Sequence, residues 1–280
     1  GSVAEMPELP EAEVVARQLR ERLIGATLIE LEFGRSDIVR HGIETQQWYA
    51  GAVLSGVQRQ GKSVVLDFMR EDETRYLVAE LGMTGLLLFR SLNPRIERHT
   101  HARLRLEGGR EPQLLYWNPR RFGRLSLLDD AGLQAYCARR FGCDPLTASL
   151  DVFSRVFQGR RGRLKMLLMH QQRIAGIGNI YANEILYRTK LHPLRIASSL
   201  KPAMIRNLFD TTREVLLEAI ACGGSSVRDF FAPDGSEGRY KDRHLVYNKE
   251  EQSCPRGCGG QIRRLQGERS SFYCPTCQKK

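Results

Sequence analysis

The sequence predicts an α+β fold: an N-terminal helix, an antiparallel β-sandwich, then a helical domain and a cysteine-pinned hairpin. Three observations predict it. Over roughly the first 120 residues, short β-branched or aliphatic runs alternate with glycines and charged turns, a pattern of sandwiches or barrels rather than of βαβ units. Beyond Ala131 the apolar period lengthens to that of helices. Near the end, Cys254, Cys258, Cys274 and Cys277 form two close pairs.

Taken in order, Glu11 to Leu23 carries Val15, Leu19 and Leu23 on one helical face, and Gly25 closes it. Strands are expected at Thr27–Phe33, Ala52–Val57, Ser63–Phe68, Tyr76–Leu81, Leu86–Phe89, Ala102–Leu106 and Leu114–Trp117. Helices are expected at Leu133–Arg140, Val152–Phe157, Leu164–Met169, Asn179–Thr189 and Pro202–Ala221. The run Arg140-Phe-Gly-Cys-Asp-Pro145 reads as the boundary between the two, and Ala232–Gly238 as a mobile loop before the cysteines. The expected domains are 7–130, 145–238 and 239–280.

With 280 residues, 41% of them hydrophobic, the chain can bury two cores and is not disordered throughout. No apolar run reaches the roughly 18 residues of a membrane span. The net charge of +11 favours an anionic partner. More than half of it lies in Arg239–Lys280, where ten Lys or Arg face four acids. Seven cysteines and no secretory signal argue for a reducing compartment, not a disulfide framework.

Cys254-Pro-Arg-Gly-Cys258 and Cys274-Pro-Thr-Cys277 are the strongest spacing signal. Each pair can close a knuckle, and four thiolates complete one structural Zn2+ site with no open position. The hairpin between them carries Arg269, which reads as a phosphate contact or as a solvated turn arginine. Gly176-Ile-Gly-Asn179 opens a helix, whose exposed N–H groups suit an anion; Asn179 and the nearby Lys165 add to it. Met83, in Leu81-Gly-Met-Thr-Gly85, and Phe122, in Asn118-Pro-Arg-Arg-Phe-Gly123, read as core residues or as wedges that fill the gap left by a flipped base.

Together with Pro7-Glu-Leu-Pro-Glu11, these motifs occur in an order that resembles the formamidopyrimidine-DNA glycosylases, relatives of endonuclease VIII with a helix–two-turn–helix fold. The resemblance covers Met6 to Gln278. It implies a base-excision repair glycosylase and AP lyase that flips out oxidised purines such as 8-oxoguanine and formamidopyrimidines, with damaged duplex DNA as partner. A terminal Pro7 would be the nucleophile and Glu8 the acid/base group, with Lys62 beside the lesion. Glu11 would be a further site position, Met83, Arg120 and Phe122 would fill the void, and Lys165, Asn179 and Arg269 would contact DNA. A monomer in the bacterial cytoplasm, near the nucleoid and off the membrane, is the matching expectation.

Three features depart from the family pattern. Glu80 stands where a histidine is usual, His170 where an acid is usual, and the first cysteine pair is one residue wider. The alternatives are a related glycosylase for oxidised pyrimidines or abasic sites, or a non-catalytic lesion-binding protein. Pro7 follows Gly1–Met6, whose Gly1-Ser2 resembles a vector remnant, so its nitrogen is an amide and not a nucleophile unless Met6 is removed. The expectation is a chain that binds damaged DNA but cleaves it poorly.

Overall fold

The computed structural model of the chain describes residues 7–121, 123–227, 230–267 and 269–280. These form two compact units, one running to Arg139 and including Cys222–Arg239, the other Arg140–Ala221 with Tyr240–Lys280.

The first unit opens with helix α1 (Leu9–Leu23), started by Pro10 in its first turn and ended at Gly25, whose φ of +91° a side chain would resist. Leu9, Ala12, Ala16, Leu19 and Leu23 are all fully buried, so the helix covers strands with a broad apolar face. The strands are β1 (Thr27–Phe33), β2 (Val39–His41), β3 (Val53–Gln60), β4 (Ser63–Arg70), β5 (Glu73–Glu80), β6 (Leu86–Leu88), β7 (Thr100–Glu107), β8 (Gln113–Trp117) and β9 (Leu125–Leu128). They order as β2-β9-β5-β4-β3-β1-β7-β8-β6. Among the described residues β1 and β3 share a single ladder pair, Thr27↔Val53, flanked by the bonds Leu28 N to Ala52 O and Leu54 N to Ala26 O, and the register shifts at Leu28/Glu30 and Leu54/Gly56 lie beside it. Bulges bend strands, so the sheet divides there into the two wings of a sandwich-like fold.

The expected strands are present, with ends shifted by a few residues. β2, β9 and the short helix α2 (Pro94–Arg98) add to them, and β2 pairs with β9 in parallel. β2 is too short to show a period, and the Leu-Ser-Leu-Leu of β9 lacks β-branched residues. α2 did carry a signal: Asn93 caps it by accepting from Arg95 N and Ile96 N, at 2.9 and 3.3 Å, with Pro94 next.

Ala232–Gly238, expected as a mobile loop, is a tethered turn. Pro233 O accepts from Phe89 N at 2.9 Å, Gln18 Oε1 from Asp234 N at 3.1 Å, and Ser226 Oγ from Gly238 N at 2.8 Å. Its glycines and Pro233 specify a turn, and hydrogen bonds to Gln18 of α1, to Phe89 just after β6 and to Ser226 fix it.

In the second unit, helices α4 (Leu150–Arg155), α5 (Leu164–Leu168), α6 (Asn179–Arg188) and α7 (Pro202–Ala221) are joined by turns; α3 (Asp130–Arg140) leads into them. α6 is buried from Asn179 to Tyr187, which an apolar stripe alone would not demand. Its buried Glu184 accepts from three successive amides, Leu245 N, Val246 N at 2.9 Å and Tyr247 N at 3.2 Å. This fixes the segment that leads to the hairpin β10 (Arg263–Leu265) and β11 (Ser271–Tyr273). No helix among the described residues is long and apolar enough to cross a membrane.

Candidate active site and nucleic-acid interface

Pro7 and Glu8 lie at the start of α1, both buried. The helix start is a reciprocal capping box: the Glu8 side chain accepts from the Glu11 backbone, and Glu11 Oε1 accepts from Glu8 N at 2.9 Å. Glu11 Oε2 accepts from Ser225 N at 3.0 Å. A Cβ at Gly224, whose φ is +79°, would stand 2.8 Å from that oxygen. Glu11 is thus fully buried, and its carboxylate caps the helix start and fixes the backbone around Glu8.

Lys62 occupies the turn between β3 and β4, where Gln60 pairs with Ser63 and Gly61 takes a φ of +59°. Arg59, three residues earlier, donates from Nη1 to Gly61 O at 3.0 Å and from Nε to Glu13 Oε1 at 3.0 Å. Glu13 also meets Arg17 at 3.1 Å and Arg20 at 3.5 Å. The Lys62 turn is therefore tied to the helix that begins with Glu8. Sequence reasoning missed Glu13 and Arg59; the available signal was an arginine just before a Gly-Lys turn.

Two further turns belong to this unit. In Leu81–Gly85, Leu81 O accepts from Gly85 N at 2.6 Å, Gly82 has a φ of +63°, and Met83 stands half-buried. In the second, Asn118 is fully buried: Oδ1 accepts from Arg121 N at 3.0 Å, and Nδ2 donates to Tyr116 Oη at 3.0 Å and Gly123 O at 3.4 Å. An asparagine followed by proline starts such turns. Arg120 is exposed at its apex, and Phe122 lies outside the described residues. Glu80, whose carboxylate would repel phosphate if alone, is paired with Arg40 at 3.1 Å. His101 Nε2 lies 3.1 Å from Asn118 O, and burial holds its pKa below the usual imidazole value.

In the second unit Lys165 and Asn179 converge on the hairpin. Lys165 Nζ donates to Ser270 O at 3.1 Å and Ser271 Oγ at 2.9 Å, and Asn179 Nδ2 donates to Ser270 O at 2.9 Å. Asn183, one helical turn beyond Asn179, donates to Asn179 O at 2.7 Å and accepts from Phe272 N at 2.9 Å. Arg269 is exposed beside them, and His170 is exposed. Asn183 was missed by the sequence reading, although it lies on the same helical face as Asn179.

The four cysteine sulfurs lie within 4.8 Å of one another. Cys254–Cys277 and Cys258–Cys274 are 3.8 and 3.6 Å apart. A tetrahedron with metal–sulfur bonds of 2.3 Å has edges of about 3.8 Å, so the cluster could hold one metal ion. Burial opposes ionisation of Cys254, but the Tyr187 hydroxyl at 3.1 Å and neighbouring donors hold its thiol at about 6, whereas burial pushes Cys274 up to about 11. The wider first knuckle is accommodated: Gly257 takes a φ of +70° and donates to Cys254 O at 2.9 Å.

Comparison with known proteins agrees with this arrangement. The formamidopyrimidine-DNA glycosylase N-terminal domain matches residues 6–125, and the family's H2TH domain matches 141–231. The formamidopyrimidine-DNA glycosylase of Lactococcus lactis is 34% identical over 98% of this chain and all of its own, and that of a Roseiflexus species is 38% identical with the same coverage. A crystal structure of a Lactococcus lactis mutant with Fapy-dG containing DNA superposes with a TM-score of 0.87 at 30% identity, covering 98% of this chain and all of that one. The Thermus thermophilus protein gives 0.84 at 37% identity, over 98% and 99% of the two chains. With both halves of the chain matched and its full-length relatives above 30% identity, the chain belongs to the formamidopyrimidine-DNA glycosylase family.

Proposed function

We propose that this chain removes oxidised purines from duplex DNA and then nicks the strand, with Pro7 as nucleophile. The buried capping box at the start of α1 carries the reading, because it keeps a proline and a carboxylate adjacent and rigid. As a chain terminus, Pro7 would be a secondary amine titrating near ~8, partly unprotonated at neutral pH. Its lone pair would attack C1′ while the bond to the base breaks and the base leaves with that electron pair. The nitrogen, now a tertiary ammonium, would give up its proton, and its lone pair would break the C1′ bond to the ring oxygen as Glu8 protonates that oxygen, which opens the sugar. The resulting iminium has no N–H proton to lose and stays cationic. It would accept the electrons released when a C2′ proton is removed, expelling the 3′-phosphate; a second elimination would expel the 5′-phosphate.

Lys62 would neutralise phosphate charge next to the lesion. Met83, Arg120 and Phe122 would occupy the vacated stack, and Lys165, Asn179 and Arg269 would hold the backbone. Relatives crystallised with Fapy-dG and abasic-site DNA support this substrate class. A zinc ion at the four cysteines would serve as a clamp on the hairpin that bears Arg269.

The activity needs Pro7 as a free terminus: while Gly1–Met6 precede it, its nitrogen is an amide, and lesions are expected to be bound but cleaved poorly. Borohydride trapping on 8-oxoguanine duplex should give a covalent adduct only when the chain starts at Pro7. An equal adduct with the hexapeptide in place would sink the proline assignment. In the Pro7-starting chain, Glu8→Gln should slow base release by about a hundredfold or more while duplex binding persists.

A further inference from the structure

Glu80 is where three turns of the first unit meet. It ends β5, and its cross-strand partner Ser63 follows Lys62. The next residues form the Leu81–Gly85 turn that carries Met83. Its carbonyl accepts from the Tyr116 hydroxyl at 2.6 Å, and a Cβ at Gly123 would collide with that oxygen, so the Asn118–Gly123 turn closes against it. The carboxylate Oε2 holds Arg40 Nη2 at 3.1 Å. Arg40 arrives through the parallel pairing of β2 with β9, itself the neighbour of β5.

We propose that Arg40, aimed by Glu80, contacts the DNA backbone at this junction; this rests on the DNA-binding reading given above. The two side chains are asymmetrically placed, Glu80 at 11% and Arg40 at 37% exposure, so the carboxylate is inside and the guanidinium faces outward. A guanidinium has five N–H groups in a planar fork. One edge engages Glu80, and the exposed edge suits two phosphate oxygens. A lone carboxylate here would repel DNA. Paired, it supplies the fixed anchor that a long, flexible arginine otherwise lacks. The chain thus carries at this junction both an acid and the base that reverses its effect.

The test is anisotropy of a duplex bearing a tetrahydrofuran abasic analogue, titrated at several salt concentrations between about 50 and 200 mM. Arg40→Gln should weaken binding about tenfold at the lowest salt and reduce the slope of log affinity against log salt by about one. Adding Glu80→Gln to Arg40→Gln should recover part of the affinity, because a negative charge facing the phosphates is gone, while the slope stays reduced. An Arg40→Gln protein with unchanged affinity and slope overturns the proposal, as does a loss of affinity with unchanged slope. Should Arg40→Gln melt early, Arg40→Lys must keep the slope; a folded Arg40→Lys protein with a reduced slope also overturns it. Failure of the unsubstituted chain to bind the duplex at all would instead remove the DNA-binding reading itself.

Discussion

In the first unit, Glu8 and Glu11 are fully buried at a helix start and clamped by backbone amides, over an apolar layer of Leu9, Ala12, Val15 and Leu19. In the second, Lys165, Asn179 and Asn183 converge on Ser270, at the edge of a hairpin whose strands are three residues each. The first arrangement draws its rigidity from a core, whereas the second draws it from polar contacts and a sulfur cluster. A two-stranded ribbon has too little apolar surface to order itself. The positions of Arg269 and its neighbours should therefore depend on the cysteines far more than the position of Glu8 does.

The strongest way to break that contrast is to remove the clamp. Chelation at neutral pH, or Cys258→Ser, should weaken lesion-duplex binding by about a hundredfold and open β10–β11 to amide exchange, since structural zinc contributes folding free energy outright. The amides of α1 should stay protected; their simultaneous loss would mean that the two units do not differ as described.

Acid should sharpen the contrast by a second route. Burial pushes the His244 pKa down to about 4, among the rings of Tyr240 and Tyr247. Its neutral form is favoured in the folded state, so the full contribution is present above the unfolded value near 6.5 and is lost as pH falls towards the folded value. Between pH 7 and pH 5 this amounts to about 2 kcal/mol. The urea midpoint of the second unit should fall accordingly, and His244→Phe should remove that part of the pH dependence.

The smallest expected effect lies in the first unit. Asn118→Ala removes the side-chain acceptor of Arg121 N and the amide donor to Tyr116 Oη, costing roughly 1–2 kcal/mol. With the metal site intact, it should loosen the Arg120 turn and leave β10–β11 exchange unchanged. Measured protection of both segments after this substitution would show whether the units respond separately.

Much of this protein was legible in order. Strand runs such as Thr27–Phe33, the α1 periodicity, the Asn179 helix start and the cysteine spacing are local signals, and each forms where its residues predict. The Asn93 cap and the Gly61 turn were equally local. Less legible were the partners of charge. Nothing near Glu80 in sequence points to Arg40, forty residues earlier, and nothing near Glu11 points to Ser225.

The sequence by itself determined the family, the alternation of sheet and helix, and the chemical types available at the site, because periodicity, caps and ligand spacing act over a few residues. Only the tertiary structure decided that Glu11 clamps backbone, that Arg59 ties the Lys62 turn to α1, that Lys165 and Asn179 grip the hairpin, and that Glu80 is neutralised by Arg40. Those outcomes depend on which distant groups a fold brings within hydrogen-bonding range, and burial makes satisfying them compulsory.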